Sequence, residues 1–334
     1  MNSSHPLLSH QISVVRKMSP YFEKITVLTG DASDEILPSN VKVINMNWVL
    51  KSPIRNAASY LIALVKIFLR DRPDILFSHM TEVQSLFAIP FTKIMKIPHY
   101  LWYAHKNKSF ALAICHKFVT SIITSTSGSC PYSGNRVISI GQAIDFDQFF
   151  QSPQSKLERA ELVHIGRSDP SKRIDLIVDA FAFARIQFPE LRLTMIGSPS
   201  SNENQMKLEE IKLRHQELIA SGSLIFLESV ERSAVPKILQ KYDLFIHAYN
   251  GSLDKSILES IISGIPVVTL NHEFRIEFGT WSGELNSNLG VELISCLTED
   301  PAVLVDKVKA QQKIALESHS LENWIARLAA IVAA

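Results

Sequence analysis

The sequence predicts an α/β protein with two domains, each built around a parallel sheet. Short apolar runs bounded by turn residues alternate with longer helical patterns along most of the 334 residues, as is typical of parallel α/β architecture. The pattern restarts halfway, and a chain of this length with 46% apolar residues suits two cores better than one. We predict domains at residues 1–150 and 158–318 and a C-terminal helix at 319–334, which could pack back on the first domain.

The first half contains six apolar runs with the length and composition of strands. Helical patterns at 55–70 and 83–97 separate some of them. The six strands are predicted at 24–30, 41–46, 74–80, 99–105, 121–126 and 136–141.

The second half repeats this alternation. The helix predicted at 173–188 places an apolar stripe on one face, which indicates that it covers a sheet. The strands are predicted at 161–166, 191–197, 223–230, 243–248 and 265–270, and the other helices at 205–220, 234–242 and 254–263. Residues 142–157 are polar and are predicted to link the two domains.

The beginning of the chain departs from this pattern. A doubly wound domain normally starts with a buried strand and a glycine-rich turn, but this chain moves from Met1 almost directly into a helix. Without the strand, its neighbours would expose unpaired edges. Either upstream residues are missing or another element fills the position, and we favour a missing N-terminal segment.

Composition excludes several classes of protein. The formal net charge of +1 argues against a generic nucleic-acid binder, and Cys115, Cys130 and Cys296 lack metal-ligand spacing, which suits a reducing compartment. The apolar run at 57–69 is too short to span a bilayer, and the N-terminus lacks a signal pattern. We therefore expect a cytoplasmic protein, with contact at the inner face of the membrane as an open possibility.

Charge is distributed unevenly between the two halves. Residues 1–155 hold 15 Lys and Arg against 9 Asp and Glu, whereas residues 156–334 hold 19 against 24. A basic first half could meet an anionic acceptor or a membrane surface. Ordinary solvated charge explains the difference about as well.

A strand end, a loop and a helix start meet at 165–174, where Gly166 opens the loop. Arg167 and Lys172 lie five residues apart and can converge on phosphate oxygens, with helix N-terminal amides adding to the field. Gly197 ends the next strand and would let the backbone approach a ligand closely, although it could be only a turn. These ends lie on the sheet edge at which open α/β sheets bind ligands.

Glu259 lies in the first turns of a helix that leads through Gly264-Ile-Pro266 into a strand. It could accept hydrogen bonds from a ribose diol while amides near Ile257 and Leu258 face a phosphate. The alternative is a surface carboxylate without a ligand.

His105 closes a first-half strand and precedes Lys106 and Lys108. It could bind a sugar hydroxyl or an acceptor, although a lone histidine is more often structural. The sequence has no HxxxH, HExxH, CxxC or GxSxG pattern that would favour a metal site or a serine hydrolase.

Three segments carry a resemblance to a known family. They are Gly166-Arg-Ser-Asp-Pro-Ser-Lys172, residues 191–197, and Leu258-Glu-Ser-Ile-Ile-Ser-Gly-Ile-Pro-Val-Val268. Through them the second half resembles retaining glycosyltransferases of the GT-B fold in family 4. The first half matches more loosely, through residues 5–10, 102–105, 124–126 and 140–149.

The resemblance implies two Rossmann-like domains that face each other across a cleft, with a nucleotide sugar bound mainly to the second. Arg167 and Lys172 would hold the donor diphosphate and stabilise the leaving nucleotide, with no metal or other cofactor required. Glu259 would take the ribose hydroxyls, Val230 would lie near the base, and His105 would face the transferred sugar. The acceptor would be a glycan or a lipid-linked molecule, and the anomeric configuration would be retained.

The chain departs from this family at position 251. The usual Glu-x7-Glu pair would have its first carboxylate there, but the residue is glycine. That carboxylate normally contacts the donor sugar, and Asp254, three residues later, could replace it. The other departure is the absent first strand with its glycine loop.

Three hypotheses follow from these residues. The leading one is a glycosyltransferase that makes a cell-envelope or exported polysaccharide. The second is a noncatalytic relative that binds a nucleotide sugar or acts as a scaffold, which Gly251 and the absent strand motivate. The third is a GT-B sugar epimerase, which fits less well because those enzymes need a different set of carboxylates and histidines.

Overall fold

The structure is a computed structural model that describes residues 10–33, 36–153 and 161–333. The described chain divides into two compact units. The first unit contains the residues up to Ala143 and those from Leu321 onward, and the second unit is Ile144–Ser320. The C-terminal helix, Leu321–Ala333, therefore belongs to the first unit.

The first unit has two parallel sheets, and each of its six predicted strands forms. Strands β1 (Ile25–Thr29) and β2 (Val41–Asn45) make a two-stranded sheet. The four-stranded sheet contains β3 (Leu76–His79), β4 (His99–Trp102), β5 (Ser121–Thr124) and β6 (Val137–Ser139) in that order. The other helices are α1 (His10–Met18), α2 (Pro53–Arg70), α3 (Glu82–Met95) and α4 (Phe110–Phe118), with a short 3-10 helix at Ser19–Tyr21.

Alternating side chains of β4 supply the core on both faces of this sheet. Leu101 packs with residues of α3 and α4, whereas Tyr100 and Trp102 pack with the C-terminal helix. Trp324 of that helix contacts Trp102 edge-on, with ring centroids 5.3 Å apart. The C-terminal helix is thus part of the hydrophobic core of the first unit.

The described chain begins with α1. Residues 1–9, where the sequence resembles the family only loosely, lie outside the described residues. The strand and glycine turn that we expected ahead of α1 would also lie outside them.

The second unit has one five-stranded parallel sheet. Its strands are β7 (Glu161–Ile165), β8 (Arg192–Ile196), β9 (Leu224–Leu227), β10 (Leu244–His247) and β11 (Val267–Thr269). Their order in the sheet is β11-β10-β7-β8-β9. Strands β8 and β9 therefore extend the sheet on one side of β7, whereas β10 and β11 extend it on the other side. This reversal between β7 and β10 is the switch point at which open α/β sheets bind ligands.

Helices cover both faces of this sheet, and sequence periodicity identified only part of them. The helix predicted at 205–220 is two helices, Asn202–Arg214 and Gln216–Ala220, and the last three helices before Leu321 were not predicted. No helix among the described residues is long and apolar enough to cross a membrane. The helices are α5 (Phe146–Phe149), α6 (Ile174–Ala184), α7 (Asn202–Arg214), α8 (Gln216–Ala220), α9 (Val235–Leu239), α10 (Lys255–Ile262), α11 (His272–Phe278), α12 (Leu289–Thr298) and α13 (Pro301–His319), with 3-10 turns at Pro170–Lys172 and Arg232–Ala234.

The linker predicted at 142–157 contains the boundary between the two units, but its described part from Ile144 onward belongs to the second unit. Phe146 and Phe149 are buried in the core of the second unit. The amide of Gln151 donates to the carbonyl of Ile262 at 3.0 Å, and its own carbonyl accepts from the Gln312 side chain at 2.8 Å. Polar residues surround these two phenylalanines, so the composition of the segment did not indicate that it is buried. Burial of each ring stabilises the segment by about 2 kcal/mol. The rest of the predicted linker, 154–157, lies outside the described residues.

Candidate functional site

The candidate site lies along the carboxyl edge of the sheet in the second unit. Strands β7, β8, β9 and β10 are neighbours in this sheet and run parallel, so the loops that follow them meet at one edge. These loops contain most of the residues that the sequence singled out. The loops after β8 and β9 are also joined to each other, because the amides of Ser198 and Ser229 each donate to the other residue's hydroxyl, at 2.9 and 3.1 Å.

Gly197 is required by close backbone contact between the first two of these loops. A Cβ at position 197 would lie 1.7 Å from the carbonyl oxygen of Gly166, and the φ of Gly197 is +150°. Any side chain there would push the loop after β7 away from the loop after β8. Gly166 is itself fixed by a hydrogen bond from its amide to the carbonyl of Ile196 at 3.0 Å.

Arg167 stands at the surface of this turn, with half of its side chain exposed. Its guanidinium lies 3.2 Å from the carboxylate of Asp169. The buried Asp169 also accepts from the amide of Ser200 at 2.8 Å and from the Asn204 side chain at 2.9 Å. Burial acts to raise the pKa of Asp169, but the hydrogen bonds from Ser200 and Asn204 and the charge of Arg167 together outweigh it, and the pKa lies below its usual value. Asp169 therefore ties the loop after β7 to the start of α7 and orients Arg167.

Lys172 and Asp254 form an ion pair at the switch point. Asp254 caps α10, since its carboxylate accepts from the amide of Ser256 at 3.3 Å. Burial acts to raise the pKa of Asp254, but the Lys172 ammonium and the His247 ring outweigh it and hold the pKa well below its usual value. The structure thus brings together two residues, 82 positions apart in the sequence, that were predicted separately.

A hydrogen-bond chain through His247 fixes the orientation of Asp254. The amide of Asn271 donates to the hydroxyl oxygen of Thr269 at 3.0 Å, which leaves that hydroxyl free to donate to His247 Nδ1 at 2.9 Å. Because the ionised Asp254 carboxylate can only accept, His247 Nε2 carries the proton and donates to it at 3.4 Å. Burial lowers the pKa of His247, although Asp254 opposes it. The ring is therefore neutral and acts as a donor to Asp254.

Tyr249 occupies the space next to Gly251. A Cβ at position 251 would lie 2.0 Å from the Tyr249 hydroxyl oxygen and 2.1 Å from Cζ. The same ring lies beneath Lys172, whose ammonium is 4.4 Å from the ring centroid. The absence of a carboxylate at position 251 is therefore coupled to an aromatic side chain that the sequence did not single out. The position of Tyr249 directly after β10 is the feature of the sequence that could have identified it as a site residue.

Glu259 is buried, with 3% of its surface exposed, so it is not the surface carboxylate of the alternative interpretation. It accepts a hydrogen bond from the guanidinium of Arg232. Arg232 follows the end of β9 and also lies over the ring of Phe149, with 5.7 Å between its Cζ and the ring centroid. Arg232 was not among the predicted site residues. Its place in the segment that follows β9, a strand that ends on the same sheet edge, could have identified it.

The remaining candidates in the second unit surround these two ion pairs. Ile257 and Leu258 are fully buried and pack their side chains in the core, and Val230 is half-buried beside it. The amide of Ile257 is in the first turn of α10, where amides lack acceptors within the helix, while Leu258 lies one residue further along. Burial lowers the pKa of Lys255 at the start of α10 to about 8, and Arg232 acts in the same direction.

His105 belongs to the first unit. It is exposed after β4, and its ring contacts Tyr103 edge-on with centroids 6.0 Å apart. Across both units, the described residues include no group of three His, Cys, Asp or Glu side chains that could hold a metal ion.

The part of the chain that contains the two ion pairs matches a known protein family. Residues 145–278 match the model of the family described as glycosyl transferases group 1. The match includes β7 to α11, and therefore every candidate residue except His105. No curated protein matches the chain.

Solved structures show that the chain has the GT-B fold. Anabaena HepE in complex with UDP and glucose is 16% identical with a TM-score of 0.74, and the alignment covers 100% of this chain and 98% of that one. Sucrose-phosphate synthase from Thermosynechococcus elongatus is 10% identical with a TM-score of 0.74, covering 96% and 90%. A glycosyltransferase from Rickettsia africae is 13% identical with a TM-score of 0.72, covering 99% and 95%. These likenesses show the fold of the chain.

Proposed function

We propose that the protein is a glycosyltransferase that moves a sugar from a nucleotide-sugar donor to a glycan or lipid-linked acceptor, with retention of configuration. The observation that carries this proposal is the pair of cation–carboxylate contacts at the switch point, Lys172 with Asp254 and Arg232 with Glu259. Cations at this position, beside the N-terminus of α10, suit a diphosphate. The family match supports the reaction class.

In the proposed reaction, Arg167 and Lys172 contact the donor diphosphate. The bond between the anomeric carbon and the diphosphate oxygen breaks, and the nucleotide leaves with the electron pair. The acceptor hydroxyl oxygen bonds to the anomeric carbon on the face that the nucleotide leaves, and its proton passes to the released phosphate. The two cations stabilise the negative charge that develops on the leaving group, so we propose that no metal ion is needed.

Glu259 is suited to recognise the ribose. Its carboxylate is already oriented by Arg232 and is shielded from water, so hydrogen bonds from two ribose hydroxyls would be stronger than at the surface. We propose that the amide of Ile257 meets a phosphate oxygen, that Gly166 and Gly197 allow close backbone approach, and that Val230 lies beside the base. His105 is proposed to face the transferred sugar.

The sugar side of the site differs from the family pattern. We propose that a diphosphate replaces Asp254 as the partner of Lys172 and that the released Asp254 then contacts the donor sugar. This movement would give the chain a carboxylate for the sugar although position 251 has none. It also explains why Asp254 is connected to two donors, Lys172 and His247, that are themselves at the switch point.

A noncatalytic protein that binds nucleotide sugars is the second candidate. The absence of a carboxylate at position 251, with Tyr249 in the adjoining space, favours it. Such a protein would keep the affinity for nucleotide but would not release nucleotide from any donor.

The two candidates are separated by one experiment in two stages. A thermal-shift panel of nucleoside diphosphates identifies the base, because a ligand that binds only the folded state raises the melting temperature. UDP is the first nucleotide to test, because the structure of Anabaena HepE is known in complex with UDP-glucose. Nucleotide release from the matching sugar donors is then measured with lipid-linked and glycan acceptors. Release supports the transferase, and binding without release supports the noncatalytic protein.

We place this activity in the cytoplasm, at the inner face of the membrane. The three cysteines are buried as free thiols, which suits a reducing compartment.

A further inference from the structure

Helices α2, α3 and α4 form one layer on one face of the four-stranded sheet in the first unit. Leu101 of β4 packs with residues of α3 and α4, and Leu76 of β3 packs with residues of α2 and α3. The opposite face of the same strands is covered by α1 and the C-terminal helix. The three helices therefore bury one side each and turn the other side away from the core.

The outer side of this layer is apolar. On α3, Val83, Phe87, Pro90 and Ile94 follow one another at spacings of four, three and four residues and all are exposed, so they form one stripe. Ile94 is 82% exposed. The neighbouring helices continue the apolar surface with Leu69 of α2, 71% exposed, and Phe110 of α4, 80% exposed.

Cations are interleaved with these side chains. Residues 51–118 contain ten Lys and Arg but only three acidic residues, Asp71, Asp74 and Glu82. One of the three is already neutralised, since Asp71 lies 2.9 Å from the ammonium of Lys24. Helices α2 and α4 contain no acidic residue. Five exposed cations lie within these three helices or directly after one of them: Lys66, Arg70, Lys93, Lys96 and Lys117.

An open groove of about 500 Å³ lies between the C-terminal ends of α2 and α3. Leu69 and Met95 contribute apolar walls, Arg72 and Lys96 contribute positive charge, and Asp74 contributes one carboxylate. A groove with apolar walls and cations at its sides can take an acyl chain together with an anionic headgroup. Its lining residue Met95 follows Ile94 of the apolar stripe in the sequence.

Packing within the first unit does not account for these exposed side chains. The core of α2 is formed by Tyr60, Leu64 and Phe68, on the side turned to the sheet. A water-exposed apolar area of this extent is costly unless a partner covers it. A protein partner with an apolar surface would not need the excess of positive charge, whereas a bilayer with anionic lipids matches both features.

We propose that this outer surface, called here the docking face and defined by Ile62, Leu69, Phe87, Ile94 and Phe110 with Lys66, Arg70, Lys93 and Lys96, binds an anionic phospholipid bilayer. The apolar side chains enter the headgroup region and the cations contact lipid phosphates. The proposal is independent of the donor site, whose residues lie in the second unit, apart from His105.

The test is sedimentation of the purified protein with phosphatidylcholine vesicles, with and without phosphatidylglycerol. We expect binding only to the vesicles that contain phosphatidylglycerol, and weaker binding at high salt. Each of Lys66→Glu and Lys93→Glu should lower the vesicle affinity about fivefold or more, because one basic residue near a membrane contributes roughly a factor of five. Leu69→Glu and Ile94→Glu should lower it at least as much.

The second unit provides matched controls. Ile186 is 81% exposed and Leu213 71% exposed, so Ile186→Glu and Leu213→Glu make the same chemical change at equal exposure outside the docking face. These variants should bind vesicles as the unchanged protein does. Nucleotide thermal shifts of all variants show whether each has folded and keep vesicle binding separate from donor binding.

Three results would overturn the proposal. One is equal binding to neutral and anionic vesicles, or no binding to either kind. Another is loss of vesicle binding in the control variants to the same extent as in Ile94→Glu. The third is a dimer, seen by analytical ultracentrifugation, that Ile94→Glu dissociates without vesicle binding by the unchanged protein, since the surface would then bind a second copy of the chain.

Discussion

The hydroxyl oxygen of Tyr249 lies 2.0 Å from the point at which a Cβ at Gly251 would be. The two residues are therefore complementary, because the ring fills the space that a side chain at position 251 would need. The ring also supports the ammonium of Lys172. The absence of a carboxylate at position 251 is thus coupled to the position of the Tyr249 ring.

This relationship gives an expectation for Gly251→Glu. The variant should be destabilised by about 1–3 kcal/mol, as is usual for an overpacked site, and should lose affinity for nucleoside diphosphate because the ring beneath Lys172 is displaced. Adding Tyr249→Ala should recover most of the stability. Calorimetric melting of the two single variants and the double variant measures this coupling. Equal melting temperatures for Gly251→Glu and the unchanged protein would show that Tyr249 leaves room for a side chain.

The pair of Lys172 and Asp254 can be separated by substitution. Lys172→Met leaves the half-buried Asp254 without its cation, which should cost about 2 kcal/mol of folding free energy. It should also lower the affinity for nucleoside diphosphate roughly tenfold or more. Adding Asp254→Asn should restore stability but not affinity. Urea unfolding and calorimetric titration measure the two quantities on the same proteins.

Asp254→Asn alone has a different expected result. Asparagine keeps the cap of α10, since it is as favourable as aspartate at that position, but it frees Lys172 for phosphate. Affinity for nucleoside diphosphate should rise about fivefold, while sugar transfer should fall because the proposed sugar ligand is lost. If affinity and transfer both fell, Asp254 would be a structural cap only.

Glu259→Ala should lower the affinity for the nucleotide about tenfold, because it removes the buried acceptor proposed for the ribose hydroxyls. The same variant should discriminate less between ribose and 2′-deoxyribose nucleotides. Glu228→Ala is the control, since Glu228 is an exposed carboxylate after β9. Unchanged nucleotide affinity in Glu259→Ala would contradict the assignment of this carboxylate.

Stability should depend on pH through His164. This histidine is fully buried in β7, and burial lowers its pKa to about 3. Because the unfolded chain has a histidine pKa of about 6.5, it binds more protons than the folded chain between these values. The contribution of His164 is therefore fully present above about pH 6.5 and is lost as the pH falls, by about 2 kcal/mol at about pH 5.

His164→Asn should weaken this dependence. Asparagine can still donate a hydrogen bond to the carbonyl of Ile246, which His164 Nδ1 contacts at 2.9 Å, but it does not titrate. Urea unfolding between about pH 5 and 7 measures the change, with His272→Gln as the control because His272 is exposed. An identical pH dependence in His164→Asn and the unchanged protein would show that another group is responsible.

The sequence allowed the strands and the sheet edge to be predicted because both depend on local signals. Apolar runs that end at Gly166 and Gly197 mark strand ends, and parallel strands bring such ends together. The ion pairs could not be derived in this way, since Lys172 and Asp254 are 82 residues apart and meet only when β10 is added beside β7. The loop after β9 could have identified Arg232 as a candidate, but its contact with Glu259, 27 residues later, likewise forms only in the folded domain.

Two further errors have local causes. The segment around Phe146 and Phe149 was assigned to a linker because polar residues surround its two aromatic side chains. The helices α11 to α13 were missed because no strand was predicted within residues 271–319 to mark where a helix begins or ends. In addition, α13 has only a weak apolar stripe. Burial by tertiary contacts, which periodicity does not report, decides the structure of both segments.

The most direct test of the proposed function is nucleotide release from a sugar donor. Purified protein is supplied with the nucleotide sugar whose nucleotide gives the largest thermal shift, with lipid-linked and glycan acceptors, in the presence of EDTA. We expect release that depends on acceptor, continues without divalent metal and is lost in Lys172→Met and Glu259→Ala. Binding of the nucleotide without release from any donor, with or without added metal, would contradict the proposed glycosyl transfer.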